Sequence, residues 1–127
     1  MGILKSLFGK SSTKTEQPKI NWIPLTENKQ LDEIVEKSKS KTQVIFKHST
    51  RCGISSGVIR QFEKKEIDDS VDLYYLDLLN FRNISNEVAS IFNVVHQSPQ
   101  LLIIKNGKAV KYASHYDLLS LEIIENS

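Results

Sequence analysis

Apolar positions recur along this chain with two different spacings. Val44-Ile45-Phe46 and Leu101-Leu102-Ile103-Ile104 are short continuous runs, as in strands covered on both faces. Val71, Leu73 and Tyr75 alternate and lead into Leu76-Asp77-Leu78, which predicts a strand over 71–78. Ile20, Trp22 and Pro24-Leu25 suggest a short extended segment, placed at an edge by its proline. Elsewhere the spacing is helical. Leu31, Ile34 and Val35 predict a helix to about Lys39, with Thr26 as its cap and Glu27 in the first turn. Ile54, Val58 and Phe62 predict a helix from Cys52 to about Lys65, where Ser56 and Gly57 keep one face small enough for close approach. Ile84, Val88, Ile91 and Phe92 predict a third, capped by Asn83 or Ser85, and Leu118 to Ile124 a C-terminal fourth with no marked start. Asn106-Gly107, between Leu101–Lys105 and Lys108–Ala113, is the preferred turn of a type I′ hairpin. The order is strand, helix, strand, helix, strand, helix, hairpin, helix. Two βα crossovers and a closing hairpin make this an α/β fold, with a mixed central sheet, an antiparallel C-terminal hairpin and helices on both faces.

At 127 residues this is one domain, and its 39% hydrophobic and 25% charged residues are ordinary for a globular protein. The net charge of +2 is unevenly spread: Lys5, Lys10, Lys14 and Lys19 against Glu16 make residues 1–19 +3 and the remainder −1. Residues 9–19 are small, polar and charged. We therefore expect a flexible basic tail over 1–19 and a folded domain over 20–127. The domain has no bulk charge that would make nucleic acid a partner. Ile3-Leu4 and Leu7-Phe8 are too short for the hydrophobic region of a signal peptide, and no stretch reaches transmembrane length. A single cysteine allows no internal disulfide and no cysteine-rich zinc site, and fits a reducing, cytoplasmic setting. Three scattered histidines lack metal-ligand spacing, so neither a mononuclear metal site nor a tightly bound cofactor is expected.

Cys52 is the candidate nucleophile. It stands where a strand turns into a helix, flanked by Thr50 and Arg51 rather than by apolar residues. Unpaired N–H groups at a helix start, with Arg51 and His48 nearby, favour thiolate over thiol, and the thiolate is the reactive form. His48 is read either as tuning that thiolate or as an ordinary strand-end residue. His96 and His115 are read as structural or exposed. Ser55 stands where a dithiol redox motif has its second cysteine, so an adduct on Cys52 would wait for an outside thiol. Ser55 can equally satisfy backbone groups of the first helical turn. Pro99 opens the second apolar run, and a cysteine opening a helix followed by a proline opening a strand is the thioredoxin arrangement. A cis Ser98–Pro99 bond is expected, setting the Ser98 backbone beside Cys52 to pair with a ligand or peptide.

Trp22, Leu25-Thr26, Leu31-Asp32-Glu33-Ile34 and Phe46-Lys47-His48-Ser49-Thr50 carry a resemblance that continues through Cys52, Ile54-Ser55, Ser98-Pro99-Gln100, Asn106-Gly107 and Ala113-Ser114-His115. Over roughly Ile20 to Ser120 the chain resembles the YtxJ-type monothiol bacilliredoxins of the thioredoxin-like superfamily. The resemblance implies removal of bacillithiol from S-thiolated client proteins, with Cys52 taking up the bacillithiol. It also implies bacillithiol or another low-molecular-weight thiol as co-substrate, and regeneration by such a thiol or by a partner redoxin. The family usually has proline directly after the cysteine; Gly53 stands there instead, which leaves open how a thiol ligand is gripped. Cys52-Gly53-Ile54-Ser55 is in that respect similar to the C-G-F-S motif of monothiol glutaredoxins, which use glutathione and can hold a [2Fe–2S] cluster. Their Gly-Gly-x-Asp-like segment is replaced here by Tyr112-Ala113-Ser114-His115-Tyr116-Asp117. A non-catalytic redox sensor or adaptor is the remaining alternative.

Overall fold

The central strand decides where everything else goes. A computed structural model describes residues 20–65, 67 and 69–123; the tail expected over 1–19 lies outside them. The strands are β1 (Trp22–Pro24), β2 (Thr42–His48), β3 (Val71–Asp77), β4 (Gln100–Lys105) and β5 (Lys108–Ser114), in the spatial order β1-β3-β2-β4-β5. β1, β3 and β2 are parallel, and β4 and β5 are added antiparallel, so the sheet is mixed. Helices α1 (Lys29–Lys37), α2 (Gly53–Phe62) and α3 (Arg82–Phe92) link β1 to β2, β2 to β3 and β3 to β4.

β2 is buried from Gln43 to His48. Its alternating side chains divide the core in two. Val44 and Phe46 join Val58, Ile59 and Phe62 of α2, with Leu118 and Ile123 from the chain's end. Ile45 joins Leu31 and Ile34 of α1 and Ile84, Val88 and Phe92 of α3. The same alternation sends His48 to the α2 face and Lys47 to the other. Trp22 closes the first layer, with its ring 5.7 Å from Phe46 and 5.8 Å from both Phe62 and Tyr75. Its Nε1 donates to Glu63 Oε2 at 2.7 Å.

The hairpin forms at Asn106-Gly107, whose φ values of 53° and 78° are the left-handed pair that a type I′ turn requires. Ser38, at the end of α1, receives the Asn106 N–H on its carbonyl and the Gly107 N–H on its Oγ, both at 2.8 Å. The hairpin is thereby tied to the first helix.

Several boundaries differ from the sequence reading. Thr26 does not cap α1, which begins at Lys29 after Asn28. Gln30 reaches back instead, accepting the Thr26 and Glu27 N–H groups at 2.8 and 3.0 Å and donating to the Pro24 carbonyl at 2.9 Å. α3 begins after Phe81, so Asn83 and Ser85 lie inside its first turn rather than at its cap. The expected C-terminal helix is a 3-10 helix, His115–Ser120, followed by extended chain from Leu121; Ile124 lies outside the described residues. Leu118 and Ile123 reach the same core layer, which this short helix and extended return allow. Finally, a Cβ placed on Gly57 would meet nothing within 4 Å, so no close approach explains that glycine.

Candidate active site

β2 ends at His48, and Ser49, Thr50 and Arg51 carry the chain across to α2. Cys52 is the N-cap of α2, in extended conformation with φ −102° and ψ 121°. Its N–H donates to the Ser49 carbonyl at 3.2 Å, and its carbonyl accepts the Ser56 N–H at 3.0 Å. The backbone of Cys52 is thus committed to the turn and the helix. Its thiol is free and half-buried, at the helix end where backbone N–H groups outnumber their acceptors.

Ser55 follows one turn later and is fully buried. Its Oγ accepts the Ser49 N–H at 3.1 Å and lies 2.8 Å from His48 Nδ1. Burial pushes His48 below its ordinary value of 6.5, with Asp77 and Glu63 pulling the other way. The ring is therefore neutral near pH 7. Ser55 Oγ and His48 Nδ1 share one hydrogen bond, donated by the hydroxyl when the ring proton is on Nε2 and by the ring when it is on Nδ1. Ser55 thus satisfies a backbone group, that of Ser49 in the loop ahead of α2 rather than one in the first helical turn.

Thr50 and Arg51 are exposed, and with Leu79 and Asn80 they line a cleft of about 430 Å³. The Asn80 amide is held by Asp77 Oδ2 at 2.8 Å. A larger recess, about 760 Å³, lies at the opposite end of the strands among Trp22, Lys41 and Val71, and contains none of the predicted site residues. Its size is no guide to the chemistry, because the cysteine is elsewhere. Gly53 is the exposed first residue of α2, and a Cβ there would also meet nothing within 4 Å.

The Ser98–Pro99 peptide bond is cis. Antiparallel pairing sets Lys47 opposite Gln100, so Ser98 and Pro99, just before β4, lie at the end of the sheet where β2 finishes at His48. The Pro99 carbonyl accepts the His115 N–H at 2.9 Å, and Ser98 Oγ is buried with no partner among the described residues. Cys52, Ser55, His48, Ser98 and Pro99 thus gather at one end of the sheet. Thr50 and Arg51 face a cleft beside it.

Sequence reasoning missed a second polar group on the other face of β2. Lys47 is fully buried, and its Nζ donates to the Ser85 carbonyl and to His96 Nδ1, each at 3.2 Å. The signal was present: on a strand of period two, Lys47 follows Ile45 into the interior. Among the described residues no three or more His, Cys, Asp or Glu side chains are grouped to hold a metal ion, and no helix is long and apolar enough to cross a membrane.

Comparison with known proteins agrees with this geometry. A solved candidate oxidoreductase with a thioredoxin fold is 33% identical, with TM-score 0.66, over 76% of this chain and 84% of that one. Thioredoxin from Malassezia sympodialis is 22% identical, with TM-score 0.64, over 80% of this chain and 84% of its own. Thioredoxin from Trypanosoma brucei brucei is 19% identical, with TM-score 0.63, over 84% and 87%. These two share the fold. The chain is a thioredoxin-fold protein with a redox role, and its one cysteine, Cys52, is free. From 23 to 123 it matches the family of monothiol bacilliredoxin BrxC, and it belongs to that family.

Proposed function

We propose that this protein removes bacillithiol from S-thiolated protein cysteines by monothiol exchange in a reducing compartment. The observation that carries the reading is the pairing of a half-buried free Cys52 at the α2 N-cap with a buried Ser55 already bonded to His48. The Cys52 thiolate attacks the bacillithiol sulfur of the client's mixed disulfide. A Cys52–bacillithiol disulfide forms, the client–bacillithiol bond breaks, and the client leaves as thiolate. Ser55 supplies no second thiol, so a further low-molecular-weight thiol or a partner redoxin attacks the adduct and restores Cys52. No net oxidant is needed. Thr50 and Arg51 flank the incoming thiol, Gly53 leaves the approach to the helix end open, and the Ser98–Pro99 segment borders the site along β2.

The test is intact-protein mass spectrometry of reduced protein mixed with a bacillithiol-labelled client, alongside a glutathione-labelled one, with Cys52→Ala as control. Transfer of bacillithiol onto Cys52 with release of the client supports the reading. Transfer of glutathione alone favours a glutaredoxin-like reading and makes Gly53 the informative departure. Transfer of neither leaves a sensor or adaptor role for the thiol.

A further inference from the structure

Lys47 and Gln100 are partners across the β2–β4 ladder, and both are buried. Together they grip the segment that joins α3 to β4. Gln100 Nε2 donates to the Val95 carbonyl at 3.0 Å, and Lys47 Nζ donates to His96 Nδ1 at 3.2 Å. The Ser85 carbonyl takes a second Lys47 proton at 3.2 Å, and Ser85 Oγ lies 3.2 Å from the same His96 nitrogen. Two neighbouring strands therefore hold two consecutive residues just before Ser98 and Pro99.

This arrangement is an improbable way merely to fill a core. An ammonium taken out of water is strongly disfavoured unless a carboxylate or a full set of acceptors meets it. No carboxylate pairs with Lys47 among the described residues, and the charged neighbours of His96 are Lys47 itself and Arg82 from α3. Leucine or methionine would fill the same volume without that cost. What an apolar side chain could not do is hold His96.

We propose that Lys47 is a positioning residue which, through His96 and beside Gln100, fixes the Val95–Pro99 segment against which a thiolated client lies next to Cys52. This inference rests on the exchange reading above and adds the device that shapes the client-binding edge.

The test uses the full chain and three variants. Lys47→Met keeps the volume and removes the ammonium. His96→Ala removes the acceptor at an exposed residue, so it remains informative if Lys47→Met fails to fold, and His96→Gln restores an acceptor. Exchange kinetics with a bacillithiol-labelled client, alkylation of Cys52 by iodoacetamide, and amide hydrogen exchange over Val95–Ser98 are measured together. The expected result is a KM about tenfold higher in Lys47→Met and His96→Ala with little change in kcat, partial recovery in His96→Gln, unchanged alkylation, and faster exchange of the segment's amides. Unchanged KM in both variants overturns the proposal. So does a fall in kcat or alkylation without a rise in KM, because the effect would then run through the thiol. If the wild-type protein does not act on the client, the exchange reading has failed separately. Unchanged amide exchange in Lys47→Met would overturn the positioning role even then.

Discussion

His48 Nδ1 and Ser55 Oγ lie 2.8 Å apart, and their contact fills the place from which a dithiol protein would resolve its mixed disulfide. The serine is more than an absent cysteine. It satisfies the Ser49 N–H and bonds to His48 Nδ1, so the loop that carries Cys52 is fastened to the helix behind it.

Ser55→Cys should therefore gain a function and lose stability. The introduced thiol can attack the Cys52 adduct from within, releasing the low-molecular-weight thiol and leaving an intramolecular disulfide. Mass spectrometry without added reductant should find the variant free of adduct and short by two hydrogens. Denaturant unfolding of its reduced form should show a loss of about 1–2 kcal/mol, because sulfur is a poor substitute in both hydrogen bonds. A variant that keeps its adduct indefinitely would show that the two positions cannot meet.

Gly53→Pro, which restores the residue usual in the family, should be accepted and stabilising. Gly53 opens α2, where a backbone N–H has no helical acceptor, and Cys52 has the extended conformation that a following proline requires. A Cβ there meets open space. Loss of freedom in the unfolded chain should raise stability by about 0.4–1 kcal/mol in urea titrations. A destabilised variant would mean that the Gly53 N–H or its mobility is needed in the fold.

The features legible in the sequence were those with local signals. β2, β4 and the Asn106-Gly107 turn follow from continuous apolar runs and from the one dipeptide that prefers left-handed backbone at both positions. Cys52 and Ser55 were legible as a pair by their spacing. Their tie to His48 needed the end of β2 to face α2, which the alternation from Phe46 to His48 provides. The starts of α1 and α3 were less legible, because Gln30 caps from inside its own helix and Phe81 precedes α3 with no polar side chain at all. The 3-10 helix at His115 was hidden because Leu118 and Ile123 can reach one core layer by more than one backbone path. Lys47 was hidden by its chemistry, since a lysine at a strand end ordinarily reaches water.

Gly57 offers a cleaner test of helix propensity. It lies inside α2, half-buried, with no atom close enough to exclude a methyl group. Gly57→Ala should stabilise the protein by about 0.5–1 kcal/mol by removing the backbone entropy that glycine loses on folding. Thermal unfolding would register this as a higher midpoint. A lower midpoint would reveal a contact that forms only when α2 moves.

The pH dependence of stability should carry the mark of Lys47. Burial pushes its amine from 10.5 down to about 8. Between those values the unfolded chain holds a proton that the folded chain has released, so stability contributed by this group rises with pH over that window. Below about pH 8 both states are protonated, and the folded protein bears the full penalty of a buried ammonium. Above 10.5 the penalty is gone. Methionine does not titrate, so the stability of Lys47→Met relative to wild type should be most favourable at pH 7 and decline by up to roughly 3 kcal/mol as pH rises from 8 to 10.5. Comparing the two proteins cancels the tyrosines and surface lysines that titrate in the same range. Parallel curves from pH 7 to 10.5 would mean that the amine keeps its ordinary affinity for the proton, and that water reaches Lys47 in solution.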